Sequence, residues 1–244
     1  QAVVDAAIDP SIRACVTHKS FSPPGSGPML TLRVSRNQNT SLHELTLKHF
    51  APSIVMEYLS AIVHGGSGTI LIAGEVGTGK TTLVKALASC IDVMEAILVI
   101  EDTHEIVLKR KFTRTLLTRE ANSEGAGSIS PADAIRTSLR MGMNRLILGE
   151  MRDAQAAEAF IDICASGHPG LSTIHAKSAR DALARLELFL SRAQGHVPSE
   201  TIKKQIANAV STIVFLGIDK RSGTRHIKEI IEVSHVADNS IQII

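Results

Sequence analysis

GEVGTGKT, residues 74–81, fits the pattern G-x-x-x-x-G-K-[ST]. It stands between an apolar run, TILIAG, and a segment of helical character that starts at Lys80. Strand, glycine-rich loop and helix in that order have a physical purpose. Glycines let successive backbone N–H groups face one point, the helix N-terminus adds its dipole, and an oxyanion is held there. Glu75, Val76, Gly77, Thr78, Gly79, Lys80, Thr81 and Thr82 are therefore the expected nucleotide-binding set. Lys80 is expected to carry charge to the β- and γ-phosphates, and the Thr81 hydroxyl to ligate Mg2+. A bare glycine-rich strand-to-helix turn is the alternative, and the agreement of strand, spacing and helix speaks against it. Nucleotide binding alone does not establish hydrolysis, since kinases, switches and motors share this loop.

Outward from the loop, short apolar runs alternate with amphipathic segments: TILIAG, a helix over 80–91, AILVIED, a basic and Thr-rich stretch, a helix from Pro131, RLILGE, a helix from Asp153, LSTIHA and a helix from Ala179. This alternation predicts an α/β fold with a mostly parallel sheet flanked by crossover helices. STIVFLGI (211–218) and RHIKEIIEV (225–233), separated by turn-rich DKRSG, read as a hairpin. Upstream, helical spacing over 41–66 is interrupted at Pro52 and closed by Gly65-Gly66. Before it, the breaker cluster FSPPGSGP leads into a strand-like stretch over 29–36. The expected division is the end of an N-terminal domain plus linker over 1–38 and a nucleotide-binding α/β domain over 39–244. The chain does not begin with Met, which reads as a cut N-terminus.

Composition sets further bounds. At 244 residues and 44% hydrophobic content a full core can be buried. No stretch reaches the roughly 18 consecutive apolar residues of a membrane span, and the start lacks the order of a signal peptide, so a cytoplasmic protein is expected. A net charge of +2 argues for no polyanionic partner, and an aromatic content of 3% provides no stacking platform, so no direct nucleic-acid site is evident. Cys15, Cys90 and Cys164 form no C-x-x-C pair and read as ordinary buried thiols.

Two strand-like runs end in acids. AILVIED ends in Glu101-Asp102 and RLILGE in Glu150, while Gly149 stands where a magnesium-binding aspartate usually would. Ligands of open α/β sheets bind at the carboxyl ends of strands, which would put these acids beside the phosphate loop. There a glutamate can orient or deprotonate an attacking water, though a turn or capping acid is the plainer reading. Asp153 is expected to cap the next helix. His175 ends the strand LSTIH at the same edge, where an imidazole can sense a γ-phosphate; a polar loop residue is the alternative. Arg119, Arg136 and Arg140 lie between the two acidic strands, either solvated or offered to a neighbouring subunit's γ-phosphate.

With GEVGTGKTT, VIEDTHEI, RLILGEMRD and SGHPGLSTIHAKSARDALARLE in that order, the sequence resembles the secretion ATPase superfamily, the RecA-like hexameric motors of type II and type IV secretion, conjugation and type IV pili. The resemblance covers roughly residues 30–235. LLTREANSEGAGSIS, its spacing to LRMGMNRLILGE, and the tail from VPSETIKKQIANAVSTIVF to IKEIIEV look most like the branch serving tight-adherence pilus assembly, with the conjugation and type IV secretion ATPases next.

The resemblance implies a RecA-like P-loop fold and hydrolysis of ATP with Mg2+. Lys80 and Thr81 match the phosphate-loop lysine and the magnesium-ligating hydroxyl, Glu101 the glutamate of the acidic box, and Glu150 the atypical Walker B glutamate near magnesium. His175 and His168 match the later and earlier histidines of the His box, and Arg119 and Arg140 fall where relatives place nucleotide-reaching arginines. It further implies a homohexamer at the cytoplasmic face of the inner membrane, working with secretion or pilus platform proteins. Arg33 and Arg36 could close over the nucleotide from the first domain. One departure stands out: relatives have Leu-Arg-x-x-Pro-Asp before the Walker B strand, and this chain has Leu139-Arg140-Met141-Gly142-Met143-Asn144. Altered loop packing or a subunit contact, with hydrolysis retained, is the expectation.

Overall fold

Residues 2–9, 12–34, 40–66, 68–119, 121, 125–237 and 240–243 are described by a computed structural model. The chain begins with β1 (Val3–Asp9), β2 (Ile12–Thr17) and, after a 3-10 turn, β3 (Met29–Val34), which form a three-stranded antiparallel sheet. Every residue of β3 is exposed, so this sheet has no covering layer among the described residues. Arg36 lies outside the described residues.

α1 (Leu42–Leu47) and α2 (Ser53–His64) follow. Ser41 and Glu44 close a reciprocal capping box at the start of α1, and Pro52 stands at the entry of α2, where its missing N–H costs nothing. Then come β4 (Ile70–Gly74), α3 (Lys80–Ala88), β5 (Ile97–Glu101), β6 (Thr113–Leu117), α4 (Pro131–Ser138), β7 (Arg145–Leu148), α5 (Ala154–Ala165), β8 (Gly170–Ile174), α6 (Ala179–Gln194), α7 (Ser199–Ala209), β9 (Thr212–Ile218), β10 (Arg225–Ala237) and β11 (Ser240–Ile243). Asp153 caps α5 through the Ala156 N–H, as expected.

The large sheet has the order β11-β10-β9-β4-β8-β7-β5-β6. The six strands from β9 to β6 are parallel, and β10 and β11 add an antiparallel margin. Strands β4, β5, β7 and β8 are buried throughout because helices cover both faces. Alternation sorts their side chains: Leu71, Leu98, Leu146 and Leu148 join the core under α4–α7, whereas Ile70, Ile72, Val99 and Ile147 join the core under α2 and α3. The α/β reading is thus the observed architecture.

At the amino edge of the sheet, Asn144 settles the odd strand entry. Its Oδ1 accepts the Ala96 N–H at 2.8 Å, its own N–H donates to the Ala96 carbonyl, and Met143 is buried in the core. An aspartate there could accept the same bond, so Met-Asn keeps the clasp between the entries of β5 and β7. Nearby, fully buried Arg145 makes a bidentate pair with Glu95, at 2.9 and 3.0 Å, and donates to the Val63 carbonyl at 2.9 Å. Of the cysteines only Cys164 is buried, with burial pushing its thiol up to about 12; Cys15 and Cys90 are half-buried. This corrects the expectation that all three are interior.

Candidate active site

Gly77 and Gly79 carry φ of 78° and 97°, left-handed values that a residue with a Cβ adopts only under strain, and they fold the loop after β4 into a cradle at the α3 N-terminus. Lys80 is nearly buried inside it. Its Nζ donates to the carbonyls of Gly74 and Glu75 at 2.8 and 2.9 Å and lies 3.3 Å from His175 Nδ1. Burial pulls the ammonium below the ordinary lysine range, with Glu150 opposing and Arg33 reinforcing the shift. The lysine thus sits over its own loop carbonyls, on the ground a phosphate would take. Thr78 braces the loop by donating to the Glu75 carbonyl at 2.9 Å.

Strand order explains what surrounds the lysine. After β4 the chain passes through α3 to β5, leaving room for β8 and β7 to insert between them. The carboxyl ends of β4, β8, β7 and β5 therefore lie side by side, the crevice where such sheets bind ligands. A continuous chain of polar contacts crosses them in that order. Lys80 meets His175 Nδ1; His175 Nε2 is 2.8 Å from Glu150 Oε1; Arg152 grips Glu150 Oε2 at 2.7 and 2.8 Å; and Arg152 reaches Asp102 Oδ2 at 2.6 Å. Because His175 Nδ1 faces the ammonium, the bonding fits the tautomer that carries its proton on Nε2, donated to Glu150. Thr173 supports the acid from the neighbouring strand, its hydroxyl donating to the Gly149 carbonyl at 2.8 Å and its carbonyl accepting the Met151 N–H.

Glu101 takes a different place. Both carboxylate oxygens accept backbone N–H groups, from Glu105 at 3.0 Å and from Ile106 at 3.0 and 3.3 Å, so in this state the side chain caps the loop after β5. Burial raises its pKa to about 7, the backbone hydrogen bonds working against the rise and Glu105 and Asp102 adding to it. Gly149 is what admits it. A Cβ at Gly149 would sit 3.1 Å from the Glu101 Cβ, tighter than ordinary contact, so an aspartate at the usual Walker B position would press on the acid of the next strand.

The raised pKa has a testable sign. A carboxyl that holds its proton more tightly folded than unfolded stabilises the fold fully below its unfolded pKa and loses that contribution as pH rises through the folded value. Stability of the chain is expected to fall between about pH 4.5 and 7 by an amount on the order of 3 kcal/mol from this group, with Glu101→Gln flattening the slope. Urea midpoints at pH 5 and pH 8 for the two proteins measure it, and equal slopes would refute it.

The remaining expected residues lie elsewhere. Arg119 follows edge strand β6 at the carboxyl edge, bridged to Ile129 and donating to the Gly127 carbonyl. Strands are about 4.8 Å apart, so four steps put it roughly 19 Å from β4, beyond the reach of an arginine in the same chain. Arg140 is exposed past the end of α4, at the amino edge, and Arg136 pairs with Asp133 on the α4 surface. His168 precedes β8 and so stands at the opposite end of that strand from His175, next to Ser166. Arg152 was not singled out from the sequence, although it lies two residues beyond Glu150 in RLILGEMRD; nothing in that stretch distinguishes it from a solvated arginine.

A family model described as "Type II/IV secretion system protein" matches residues 12–229. Protein VirB11 of Rhizobium radiobacter is 35% identical over 187 residues, covering 75% of this chain and 53% of that protein. The crystal structure of the VirB11 ATPase from the Brucella suis type IV secretion system, in complex with sulphate, aligns at a TM-score of 0.65 and 25% identity, covering 95% of this chain and 74% of that one. The pilus retraction motor PilT with bound ADP shares the fold at a TM-score of 0.72 and 23% identity, covering 97% and 64%. The chain spans about half the length of the curated relatives it matches. Matched over most of its length, the chain belongs to the type II/IV secretion system protein family.

Proposed function

We propose that this chain is the ATP-hydrolysing part of a hexameric motor that drives export of macromolecules, or assembly of a pilus, across the bacterial envelope. The single observation that carries the reading is the meeting of a phosphate-loop lysine with an imidazole and a carboxylate across three adjacent strand ends. A kinase needs an acceptor site and a lid; the crevice instead sets an acid where a water could be activated.

Hydrolysis joins a water oxygen to the γ-phosphorus, breaks that phosphorus from the β,γ-bridging oxygen, and sends a proton of the water to a carboxylate. Glu150 is assigned that proton, since it faces His175 and its charge is felt by Lys80. Glu101 is assigned the support of the loop after β5. His175 holds Glu150 through Nε2 and reads the γ-phosphate through Lys80. Among the described residues no group of three His, Cys, Asp or Glu could hold a metal by itself, which suits a magnesium completed by phosphates and water. Thr81 and Glu150 would hold that ion, which when bound neutralises phosphate charge.

Arg119 is assigned to a neighbouring subunit's nucleotide, because its own phosphate loop is out of reach. Arg140, at the amino edge, is likewise assigned to a subunit contact. Arg33, close enough to weaken the Lys80 charge, is placed to close over the nucleotide from the three-stranded sheet, which we read as the end of a domain reaching to about residue 38. No described helix is long and apolar enough to cross a membrane. We read the motor as working at the inner membrane's cytoplasmic face with platform proteins.

Two pathways fit this motor. The tight-adherence pilus branch rests on the 116–130 stretch and the tail; type IV secretion or conjugation is favoured by the names of relatives, VirB11 and the type IV secretion system protein PtlH. The test is phosphate release from ATP and Mg2+ measured together with mass in solution. Turnover that rises as the ring forms supports the motor. A ring formed on ATP with no steady-state release would leave only a nucleotide-gated scaffold.

A further inference from the structure

The phosphate loop has a second flank that the proposed chemistry leaves unused. His175 and Glu150 lie on the β8 side of β4. On the other side come β9 and then β10, whose first residue is Arg225. A Cβ built at Gly79 would sit 3.6 Å from Arg225 Cδ and 3.5 Å from Phe50 Cε2, so the arginine stem and the edge of a buried phenyl ring both face the loop one residue before Lys80. The placement is enforced. Phe50's carbonyl accepts the Ile227 N–H at 2.8 Å, which ties the start of β10 to the segment between α1 and α2.

Arg225 is exposed, and among the described residues no hydrogen bond or ion pair engages its guanidinium. A cation held at a helix N-terminus opposes the helix dipole, so the protein alone gains nothing electrostatic from it. The topology indicates what it awaits. If the terminal phosphate of a nucleotide points to His175 and Glu150, the phosphate chain runs along the loop away from β8, and the nucleoside leaves on the β10 side.

We propose that Arg225 stacks its planar guanidinium on the base of the bound nucleotide, its stem resting on Gly79 and Phe50 backing the loop. The inference rests on the nucleotide reading of the loop and adds the contact that recognises the nucleoside half. A guanidinium is suited to the task because it is flat, permanently charged and weakly hydrated, whereas an ammonium is a compact, strongly hydrated point charge.

Calorimetric binding of ATP, ADP and inorganic tripolyphosphate to the 244-residue chain tests it. Arg225→Ala is expected to weaken ATP and ADP about tenfold or more and leave tripolyphosphate nearly unchanged, and Arg225→Lys, which keeps charge without the plane, is expected to behave like alanine. Unchanged ATP affinity in Arg225→Ala overturns the proposal. So does a parallel loss for ATP and tripolyphosphate, or full rescue by lysine, since either assigns the arginine to phosphate charge. A wild-type chain that binds none of the three ligands removes the nucleotide reading itself, which separates that failure from failure of the stacking contact alone.

Discussion

Glu150→Gln is expected to leave ATP binding intact and to cut steady-state phosphate release by about 10²–10⁴-fold, the range for losing a positioned proton acceptor. Glutamine keeps the size of the side chain and can still accept the His175 Nε2–H, so the strand end should hold its shape. It lacks the charge that Arg152 grips and the basicity that a departing proton needs. Lys80→Ala should fail earlier, at binding, because it removes the ammonium from the cradle and leaves the Gly74 carbonyl without its lysine donor, while the Glu75 carbonyl keeps that of Thr78. Filter binding of ATP beside a phosphate-release assay separates the two. Release by Glu150→Gln at more than a tenth of the wild-type rate would take the catalytic role away from this acid, and undiminished binding by Lys80→Ala would sink the phosphate-loop reading.

Arg145→Ala is expected to cost about 3–5 kcal/mol of folding stability, the range for breaking a buried pair by removing one partner. The arginine is wholly buried, binds Glu95 with two nitrogens and donates to the Val63 carbonyl, so it joins α2, the entry of β5 and β7. Its loss leaves a void, a carboxylate without its partner and a Val63 carbonyl that keeps only backbone donors. Natural domains are stable by only about 5–15 kcal/mol, so the melting temperature should drop by about 10 °C or more. The double variant Arg145→Met with Glu95→Leu is expected to recover most of the loss, because both charges leave together and apolar volume returns. A loss below about 1 kcal/mol in Arg145→Ala would show that solvent reaches the pair and screens it.

The fold was legible in the sequence where strands are buried on both faces. ILIAG, ILVIE, RLIL and GLSTI read as strands because covered strands must be apolar throughout, and the loop after the first of them announced its helix. β6 was not legible: TRTLL pairs on one side only and is half exposed, so its apolar signal is diluted. β1 and β2 were missed for a similar reason, since their sheet has no covering layer to demand alternation. Of the residues expected at strand ends, His175 lies between Lys80 and Glu150 in the structure. What could not be read was spatial order. Nothing in the text of the chain says that β8 and β7 insert between β4 and β5, and that insertion brings His175 and Glu150 onto Lys80 while Glu101 turns to the amides of its own loop. The bonds of Arg145 and Asn144 at the strand entry were not legible, because partners such as Glu95 and Ala96 lie far from them in the chain.

The insertion also bears on how the molecule is made. β4 ends at Gly74, yet its two neighbours, β8 and β9, begin at Gly170 and Thr212, and the Phe50 carbonyl waits for Ile227. A ribosome delivers the phosphate loop long before it delivers the walls that hold it. Pairings of such long range are slow to form and leave little structure in shorter chains. The nucleotide cradle of the nascent chain therefore stays unbuilt until β8, β9 and β10 have emerged. Fragments that stop short of the β9–β10 hairpin should hold no ATP, so premature termination yields chains in which the phosphate loop has no walls.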